Sequence, residues 1–147
     1  KNIPIVLHST VDASYGMHED RKPHTGCTVH IGEVSGPFIA RSKKQTVTAD
    51  SSTVAEFIAA HTAAKEVMWA RNIMKELGYP QGEPTILGED NQSTIAMIDN
   101  ECHGPKTKHI DIRYNLIREQ VKNGVIALRY TPTLDMTSDI LTKNLGP

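Results

Sequence analysis

Four acidic residues stand where the predicted elements of the chain begin or end. They are Asp12 in VDASYG, Glu56 in SSTVAEF, Asp90 in GEDNQS and Asp139 in TSDILTK. Four carboxylates that converge on one place repel each other, and they remain ionised together only with cations between them. Oxygen ligands of this kind select Mg²⁺ or Mn²⁺. Two such ions about 4 Å apart hold the attacking and leaving oxygens of a phosphodiester displacement.

Each acid also has an ordinary structural explanation. Asp12 precedes Ala-Ser-Tyr-Gly and could belong to a turn. Thr53 and Glu56 have the spacing of a capping box, in which Glu56 would only bind a backbone N–H group. Asp90 could cap the helix that follows it, and Asp139 could cap the last helix. Their joint placement at element ends on one edge favours the metal site over these four separate explanations.

The elements that must position the acids are predicted from apolar periodicity and turn residues. The first three strands are expected at 3–11 (ending at Asp12), 25–31 and 38–47. A long helix follows, with Ser51, Ser52 and Thr53 as N-cap candidates, and ends at Gly78 and Pro80. The later elements are a strand at 85–87, helices at 91–100 and 109–122, a strand at 125–130 and a last helix near 135–144.

This order of elements predicts an α/β fold in one domain covering residues 1–147. A three-stranded antiparallel meander precedes strand–helix–strand crossovers, which are parallel and right-handed. The expected result is a five-stranded mixed sheet with helices on both faces. If the first and fourth strands are neighbours, Asp12 and Asp90 come side by side, and the helices can bring Glu56 and Asp139 to them.

Composition excludes several classes of protein. Hydrophobic residues make up 38% and charged residues 22%, which is typical of a globular protein. No apolar run approaches the roughly 20 residues that span a bilayer, so no membrane partner is expected. Cys27 and Cys102 form no CxxC, which argues against a zinc site and favours a reducing, intracellular setting. The Lys1 start suggests a piece of a longer chain.

The net charge of −1 argues against a strongly basic nucleic-acid binder, but the charge is unevenly distributed. Residues 1–47 carry net +2 and residues 101–130 net +3, whereas residues 48–100 carry −5. Ordinary solvated faces would explain this pattern equally well. The alternative is an electropositive groove beside a carboxylate cluster.

Six blocks of the chain resemble the ribonuclease H domain of copia-type retrotransposon polyproteins. They are VDASYG, SKKQTVTADSSTVAEF, KEVMWARNIMKELG, EDNQSTIAMIDN, KTKHIDIRYNLIREQV and TPTLDMTSDILTKNL. The blocks cover nearly the whole chain in order and spacing. The resemblance implies a ribonuclease H-like fold and endonucleolytic cleavage of the RNA strand of an RNA–DNA hybrid. It also implies a reverse transcriptase domain N-terminal to this one, in a polyprotein acting in the cytoplasm within virus-like particles.

By this resemblance, Asp12, Glu56, Asp90 and Asp139 match the catalytic and metal-binding D-E-D-D set of the family. Asp12 would bridge two Mg²⁺ ions, for which Mn²⁺ would substitute. Asp139 would complete the site of the nucleophilic water, and Glu56 and Asp90 the leaving-group side. Glu56 could also accept a hydrogen bond from a 2′-hydroxyl. The short loop before Asp139 lacks the histidine of many relatives, so the metals are expected to activate water without a side-chain base.

Substrate contacts are expected from two groups of residues. Short polar residues beside the acids suit sugar and base-edge contacts, with helix capping as their alternative role: Ser52, Thr53, Asn91, Gln92 and Ser93. The candidates for phosphate contacts are Arg21, Lys22, Lys43, Lys44, Lys106, Lys108 and His109.

Three other functions agree less well with the sequence than a nuclease does. A non-catalytic module of the same fold could be a structural or hybrid-binding part of a reverse transcriptase, but it has no need to keep four acids together. A transposase or integrase core needs a third carboxylate on a helix, at a spacing that neither Glu119 nor Asp135 matches. A proofreading exonuclease would carry D-x-E on the first strand, where this chain has Asp12-Ala-Ser.

Overall fold

The computed structural model describes residues 5–16, 20, 22–32, 35–99 and 108–143, with the backbone alone at 108–111. The strands are β1 (Leu7–Ser14), β2 (His24–Ile31), β3 (Pro37–Lys44), β4 (Thr85–Glu89) and β5 (Ile126–Tyr130). The α-helices are α1 (Ser52–Glu76), α2 (Gln92–Asp99) and α3 (Lys108–Lys122). Two short 3₁₀ helices follow, Thr133–Asp135 and Asp139–Leu141; residues 133–142 are called the 3₁₀ segment below.

The five strands form one mixed sheet in the order β3-β2-β1-β4-β5. β1 pairs with β2 and β2 with β3 in antiparallel fashion, whereas β4 is parallel to both β1 and β5. The predicted meander and the two parallel crossovers are therefore confirmed. β1 lies at the centre of the sheet, with β4 as its neighbour.

The first strand was predicted with the wrong bounds. Its pairing with β2 runs from Leu7 opposite Ile31 to Ser14 opposite His24, so the ladder continues two residues beyond Asp12. Asp12 is thus a strand residue, and the turn interpretation of this acid is wrong. β3 also ends earlier than expected, at Lys44. The Gln45 backbone N–H still donates to the Pro23 carbonyl, 2.7 Å away, but Pro23 has no N–H group to return the bond, so the pairing with β2 stops there.

Helix α1 begins at a Ser51 cap, whose hydroxyl accepts a hydrogen bond from the Val54 N–H over 3.2 Å. Small side chains let it lie close to β1 and β2, and its fully buried alanines are Ala55, Ala59, Ala60, Ala63, Ala64 and Ala70. Phe57 is also fully buried, in a core that it shares with Leu7, Val11 and Leu87. This packing fixes the depth and rotation of the helix that carries Glu56.

The 3₁₀ segment lies on the other face of the sheet, against β1 and β2. Side chains alternate along β2, so Thr25 contacts Gln45, which also binds α1 through the Ala55 carbonyl, while Thr28 contacts Thr137 on the opposite face. The sheet therefore has helical elements on both faces, as predicted.

The last predicted helix, near 135–144, is replaced by the two 3₁₀ turns where the chain is described, up to residue 143. The Ser138 backbone N–H donates to the Thr10 hydroxyl at 3.1 Å, and the Thr137 hydroxyl lies 2.9 Å from the same atom. These bonds to β1 hold the backbone in short turns, which compete with a continuous α-helix.

Gly26 permits this close approach. A Cβ atom there would stand 2.7 Å from the Ser138 carbonyl oxygen and 2.8 Å from Thr142 Cγ2. The 3₁₀ segment therefore lies directly on β2, and this contact places Asp139 and Thr142 beside β1.

Candidate metal centre

Asp12 and Asp90 are brought together by the parallel pairing of β1 and β4. Thr10 is opposite Gly88, so continuing the register by two residues sets Asp12 beside Asp90, just after the end of β4. Glu56 comes from the second turn of α1, which crosses this end of the sheet. Each of Asp12, Glu56 and Asp90 offers a carboxylate oxygen, and these oxygens lie within 4.8 Å of one another. The structure therefore brings together three of the four acids that were expected to converge.

Glu56 and Asp90 do not cap helices. The N-cap of α1 is Ser51, so the capping box of Thr53 and Glu56 is not formed. At α2 the Asn91 side-chain oxygen accepts the Thr94 N–H over 3.1 Å, which makes Asn91 the capping side chain. Asp90 instead accepts a 2.7 Å hydrogen bond from the Thr133 hydroxyl of the 3₁₀ segment. The structural explanations for these two acids are therefore wrong.

Burial and mutual repulsion raise the pKa values of Glu56 and Asp12 in this cluster. Burial raises the pKa of Glu56 to about 10, and the neighbouring charges of Glu89, Asp12 and Asp90 add to this, against a smaller opposing effect of the Ala13 backbone. The pKa of Asp12 is also raised, mainly by burial, although its hydrogen bond from Thr142 lowers it. Carboxylates held in this state gain from any cation that enters between them.

One carboxylate oxygen of the cluster, in Glu56, is buried without a hydrogen-bond donor among the described residues. Glu56 is 6% exposed, and its Oε2 is buried with no hydrogen-bond partner among the described residues. A buried carboxylate oxygen without a partner carries a substantial desolvation cost. The three side chains that converge there, Asp12, Glu56 and Asp90, offer carboxylate oxygens, which suit a hard divalent cation such as Mg²⁺ or Mn²⁺.

Asp139 lies near the cluster but outside the 4.8 Å group. Its Oδ2 is 2.6 Å from Nζ of Lys143, four residues later. Its charge nevertheless contributes to the raised pKa of Asp12. The Thr142 hydroxyl donates to Asp12 and holds this segment against β1. The structure thus brings three of the four predicted acids together and leaves the fourth beside them, paired with a lysine.

Sequence reasoning missed Glu89, a fifth acid in this region. Glu89 is fully buried, its Oε1 accepts the Asn91 backbone N–H at 3.0 Å, and its Oε2 has no partner among the described residues. Burial raises its pKa to about 8, with Asp90 and Asp12 adding to the effect. The missed signal was its position: along β4, Glu89 has the same parity as the buried Thr85 and Leu87, so its side chain had to face inward.

The short polar residues flank the acids on two adjoining helix starts. Thr94 at the start of α2 donates from its hydroxyl to the Thr53 carbonyl in α1 over 3.3 Å, which joins the two starts. The candidates near this junction are Ser52, Gln92 and Ser93, which are exposed, and Thr53 and Asn91, which are partly exposed.

Only some of the basic residues that were expected to contact phosphates lie in the described part of the chain. Lys43 and Lys44 are exposed at the end of β3, on the side of the sheet where Ser14 pairs with His24. Lys44 forms a 2.9 Å ion pair with Asp20, and Lys22 lies nearby in sequence with a partly exposed side chain. Arg21 and Lys106 lie outside the described residues, as do the side chains of Lys108 and His109.

Known proteins with similar sequences are retrotransposon polyproteins. The chain is 36% identical over 140 residues to the retrovirus-related Pol polyprotein from transposon TNT 1-94 of Nicotiana tabacum. It is 32% identical over 147 residues to the Pol polyprotein from transposon RE1 of Arabidopsis thaliana. These alignments cover 94% and 99% of the chain but only 10% of each polyprotein, so the chain spans about a tenth of the length of these relatives. No protein-family model matches.

Solved structures with a similar fold include ribonucleases H. LC11-RNase H1, isolated from compost, superposes with a TM-score of 0.68 at 11% identity, over 93% of this chain and 92% of that one. The same enzyme in complex with an RNA/DNA hybrid gives 0.65 at 12% identity, with 92% of each chain covered. The protease–reverse transcriptase of prototype foamy virus gives 0.63 at 13% identity, over 97% of this chain and 21% of that one. Within the described part of the chain, no helix has the length and apolar character needed to cross a bilayer.

Proposed function

Because the chain is homologous to one segment of copia-type retrotransposon Pol polyproteins and has the ribonuclease H fold, we propose that it is a metal-dependent ribonuclease H. Its substrate would be the RNA strand of an RNA–DNA hybrid, cleaved endonucleolytically during reverse transcription. A solved neighbour of the same fold is described in complex with such a hybrid. In the parent polyprotein a reverse transcriptase domain would precede this one, and the setting would be cytoplasmic virus-like particles.

One observation carries the proposal. Asp12, Glu56 and Asp90 present oxygens within 4.8 Å of one another, and the buried Glu56 Oε2 has no other partner among the described residues. Neither a helix cap nor a turn explains this arrangement. A site for divalent cations explains both the convergence and the unpaired oxygen.

The residues that would hold two Mg²⁺ or Mn²⁺ ions are Asp12, Glu56, Asp90 and Asp139. When bound, the ions would lower the pKa of the attacking water and neutralise charge on the leaving oxygen. Asp12 is held in place from both sides, by its strand pairing to Gly26 and by the Thr142 hydroxyl. Asp139 would have to exchange its Lys143 partner for a cation. It lies on the surface, where such ion pairs contribute little.

Selection for RNA would come from groups that contact the sugar. Glu56 stands at the start of α1, next to the exposed Ser52 and the partly exposed Thr53. A carboxylate and hydroxyls at this place can accept from and donate to a 2′-hydroxyl, which DNA lacks. The capping role of Asn91 leaves its neighbours Gln92 and Ser93 exposed at the start of α2 for base-edge or sugar contacts.

The test is a cleavage assay with end-labelled substrates in Mg²⁺. The protein should cut the RNA of a hybrid and leave a 3′-hydroxyl, and it should leave double-stranded DNA and single-stranded RNA intact. An Asp12→Asn variant prepared identically controls for contaminating nuclease.

A chain that binds the hybrid without cutting it would refute the enzyme and support the alternative, a catalytically inactive hybrid-binding module of a reverse transcriptase. The Asp139–Lys143 ion pair is the observation that favours this alternative, since it keeps the fourth acid out of the cluster.

A further inference from the structure

A cationic groove lies beside α1, and its lining does not include Asp12, Glu56 or Asp90. It has a volume of about 530 Å³ and lies between the edge strand β3, α1 and α3. Its basic residues are Arg41, Lys43 and Lys44 on β3, Lys65 on α1 and Arg113 on α3, and Glu66 is the acid that lines it. The charge balance of this lining is strongly positive, although the chain as a whole carries −1.

Two of the five cations are already paired. Arg41 Nε lies 3.2 Å from a Glu66 carboxylate oxygen, and Lys44 Nζ lies 2.9 Å from Asp20. Lys43, Lys65 and Arg113 have no ion pair among the described residues. Three unpaired cations from three different elements face one groove, so the groove is poised for a ligand that carries several negative charges.

The groove is also lined by neutral polar residues, of which Ser42, Gln45 and Thr62 already donate to the backbone carbonyls of Leu141, Ala55 and Ile58. Thr25, Ser42, Gln45, Thr46 and Thr62 belong to its lining. His61 lies in the wall between Lys65 and Arg113, and its pKa is lowered to about 4 by burial and by these two charges. The imidazole is therefore neutral at neutral pH. A mixture of cations and short polar side chains is what proteins use to contact phosphate and sugar groups.

The position of the groove relates it to the metal centre. Asp12 on β1 is opposite Gly26 on β2, which in turn is opposite Ser42 on β3. Neighbouring strands are about 4.8 Å apart, so Ser42 lies roughly 10 Å from Asp12, and Lys43 follows it. One strand of a duplex advances about 3.4 Å per nucleotide along the axis, so this distance corresponds to roughly three nucleotides.

We propose that this groove binds the phosphates of one strand of a nucleic-acid duplex, about three or more nucleotides from the acid cluster. The inference rests on the proposed function, because it treats groove and cluster as parts of one substrate path. It adds Arg41, Lys65 and Arg113 to Lys43 and Lys44 as the residues that would hold the substrate. Contacts of this kind supply affinity and register without reading sequence.

The test uses two matched double variants. Lys65→Gln with Arg113→Gln removes one groove cation from α1 and one from α3. Lys75→Gln with Lys122→Gln removes one exposed cation from the last turn of each of the same helices, outside the groove. Binding of a fluorescent RNA–DNA hybrid is measured by anisotropy in EDTA over a range of salt concentrations, so that neither cleavage nor metal ions contribute. Melting temperatures verify that both variants are folded.

The slope of log K against log salt concentration is negative, and each lost phosphate contact makes it less steep by roughly 0.9. The slope of the groove variant should therefore be less steep than that of the wild type by roughly 2, and the variant should bind the hybrid at least about tenfold more weakly at 0.1 M salt. The control variant should keep the wild-type slope. Equal slopes in the two variants would overturn the proposal that the groove binds phosphates.

Two further readouts separate this proposal from its rivals. If polyglutamate binds the wild-type protein more tightly than the hybrid does, and only the groove variant loses it, the occupant is an acidic protein segment and the proposal is wrong. The wild-type cleavage assay is independent of both. If the wild type cleaves the hybrid and the two variants have equal salt slopes, the ribonuclease proposal stands and the groove proposal is wrong. If only the groove variant changes the slope and the wild type does not cleave, the groove proposal stands and the ribonuclease proposal is wrong.

Discussion

The Thr142 hydroxyl donates a hydrogen bond to Oδ2 of Asp12 across 130 positions of sequence. This bond joins the central strand to the 3₁₀ segment and orients one oxygen of the most central acid. It also lowers the pKa of Asp12 against the effect of burial. The carboxylate is thus held in a fixed orientation before any cation arrives.

Replacement of Asp12 by Asn should abolish hybrid cleavage and leave the fold intact. The amide keeps the size of the side chain but removes a charge that raises the pKa of Glu56 and Glu89. Relief of this repulsion should keep the melting temperature of the metal-free protein equal or raise it at neutral pH. Cleavage rate and thermal unfolding measure the two effects. Near wild-type cleavage by the variant would reject Asp12 as a metal ligand.

Metal-free stability should fall as pH rises above about 5. In the unfolded chain Glu56 ionises near pH 4.5, whereas in the folded chain its pKa is about 10. A raised folded-state pKa contributes stability below the unfolded value and loses it as pH rises towards the folded value. One such proton gives a slope of up to about 1.4 kcal/mol per pH unit. Glu89, with a pKa of about 8, adds a decline of the same sign.

Glu56→Gln should flatten this pH dependence because glutamine stays neutral throughout. The matched control is Glu76→Gln, an exposed glutamate in the last turn of the same helix. Urea unfolding in EDTA at several pH values between 5 and 9 gives the slopes. If Glu56→Gln keeps the wild-type slope, the carboxyl is not the buried acid that the structure shows.

Divalent metal should stabilise the folded protein. Ions that bind only the assembled cluster raise the free energy of unfolding by mass action, by about 2.7 kcal/mol when their concentration is a hundred times the dissociation constant. The melting temperature should therefore climb with Mn²⁺ or Mg²⁺ concentration, and this climb should be smaller in Asp12→Asn. A melting temperature that is the same in chelator and in millimolar Mn²⁺ would argue against convergent acids.

Gly26→Ala should displace the 3₁₀ segment from the sheet. The new methyl group would lie 2.7 Å from the Ser138 carbonyl oxygen, so the backbone that carries Asp139 has to move. Overpacking of this kind destabilises by roughly 1–3 kcal/mol, and we expect cleavage to fall as well because Asp139 moves away from Asp12. Gly82→Ala is the control, since its Cβ would have no atom within 4 Å. Equal unfolding free energies in the two variants would contradict the close contact.

The pairing of the strands and the long helix could be predicted because each depends on local patterns. β-Branched residues without a helical period marked β1, and the N-cap candidates from Ser51 together with Gly78 marked the ends of α1. The neighbouring positions of Asp12 and Asp90 were expected only on the condition that the first and fourth strands are neighbours, and the strand order of the sheet meets that condition.

The remaining features depend on contacts between distant residues. The 3₁₀ turns form because Thr137 and Ser138 bind Thr10, a partner that no local window contains. The ion pair of Asp139 with Lys143 is local, but a surface pair competes with water and is not fixed by sequence. Glu89 could not be assigned an inward-facing position because the predicted strand ended at Leu87, whereas β4 continues to Glu89.

The order of the strands in the sheet has a consequence for the newly made protein. The central strand β1 is synthesised first, but its partner β4 and the 3₁₀ segment that holds Asp12 come much later along the chain. Contacts between residues so far apart in sequence form late in folding. A ribosome-bound chain that ends before Thr133 therefore lacks Asp139, Thr142 and the hydroxyl that binds Asp90. The hydroxyls that hold Asp12 and Asp90 in place therefore become available only after nearly all of this sequence has been translated.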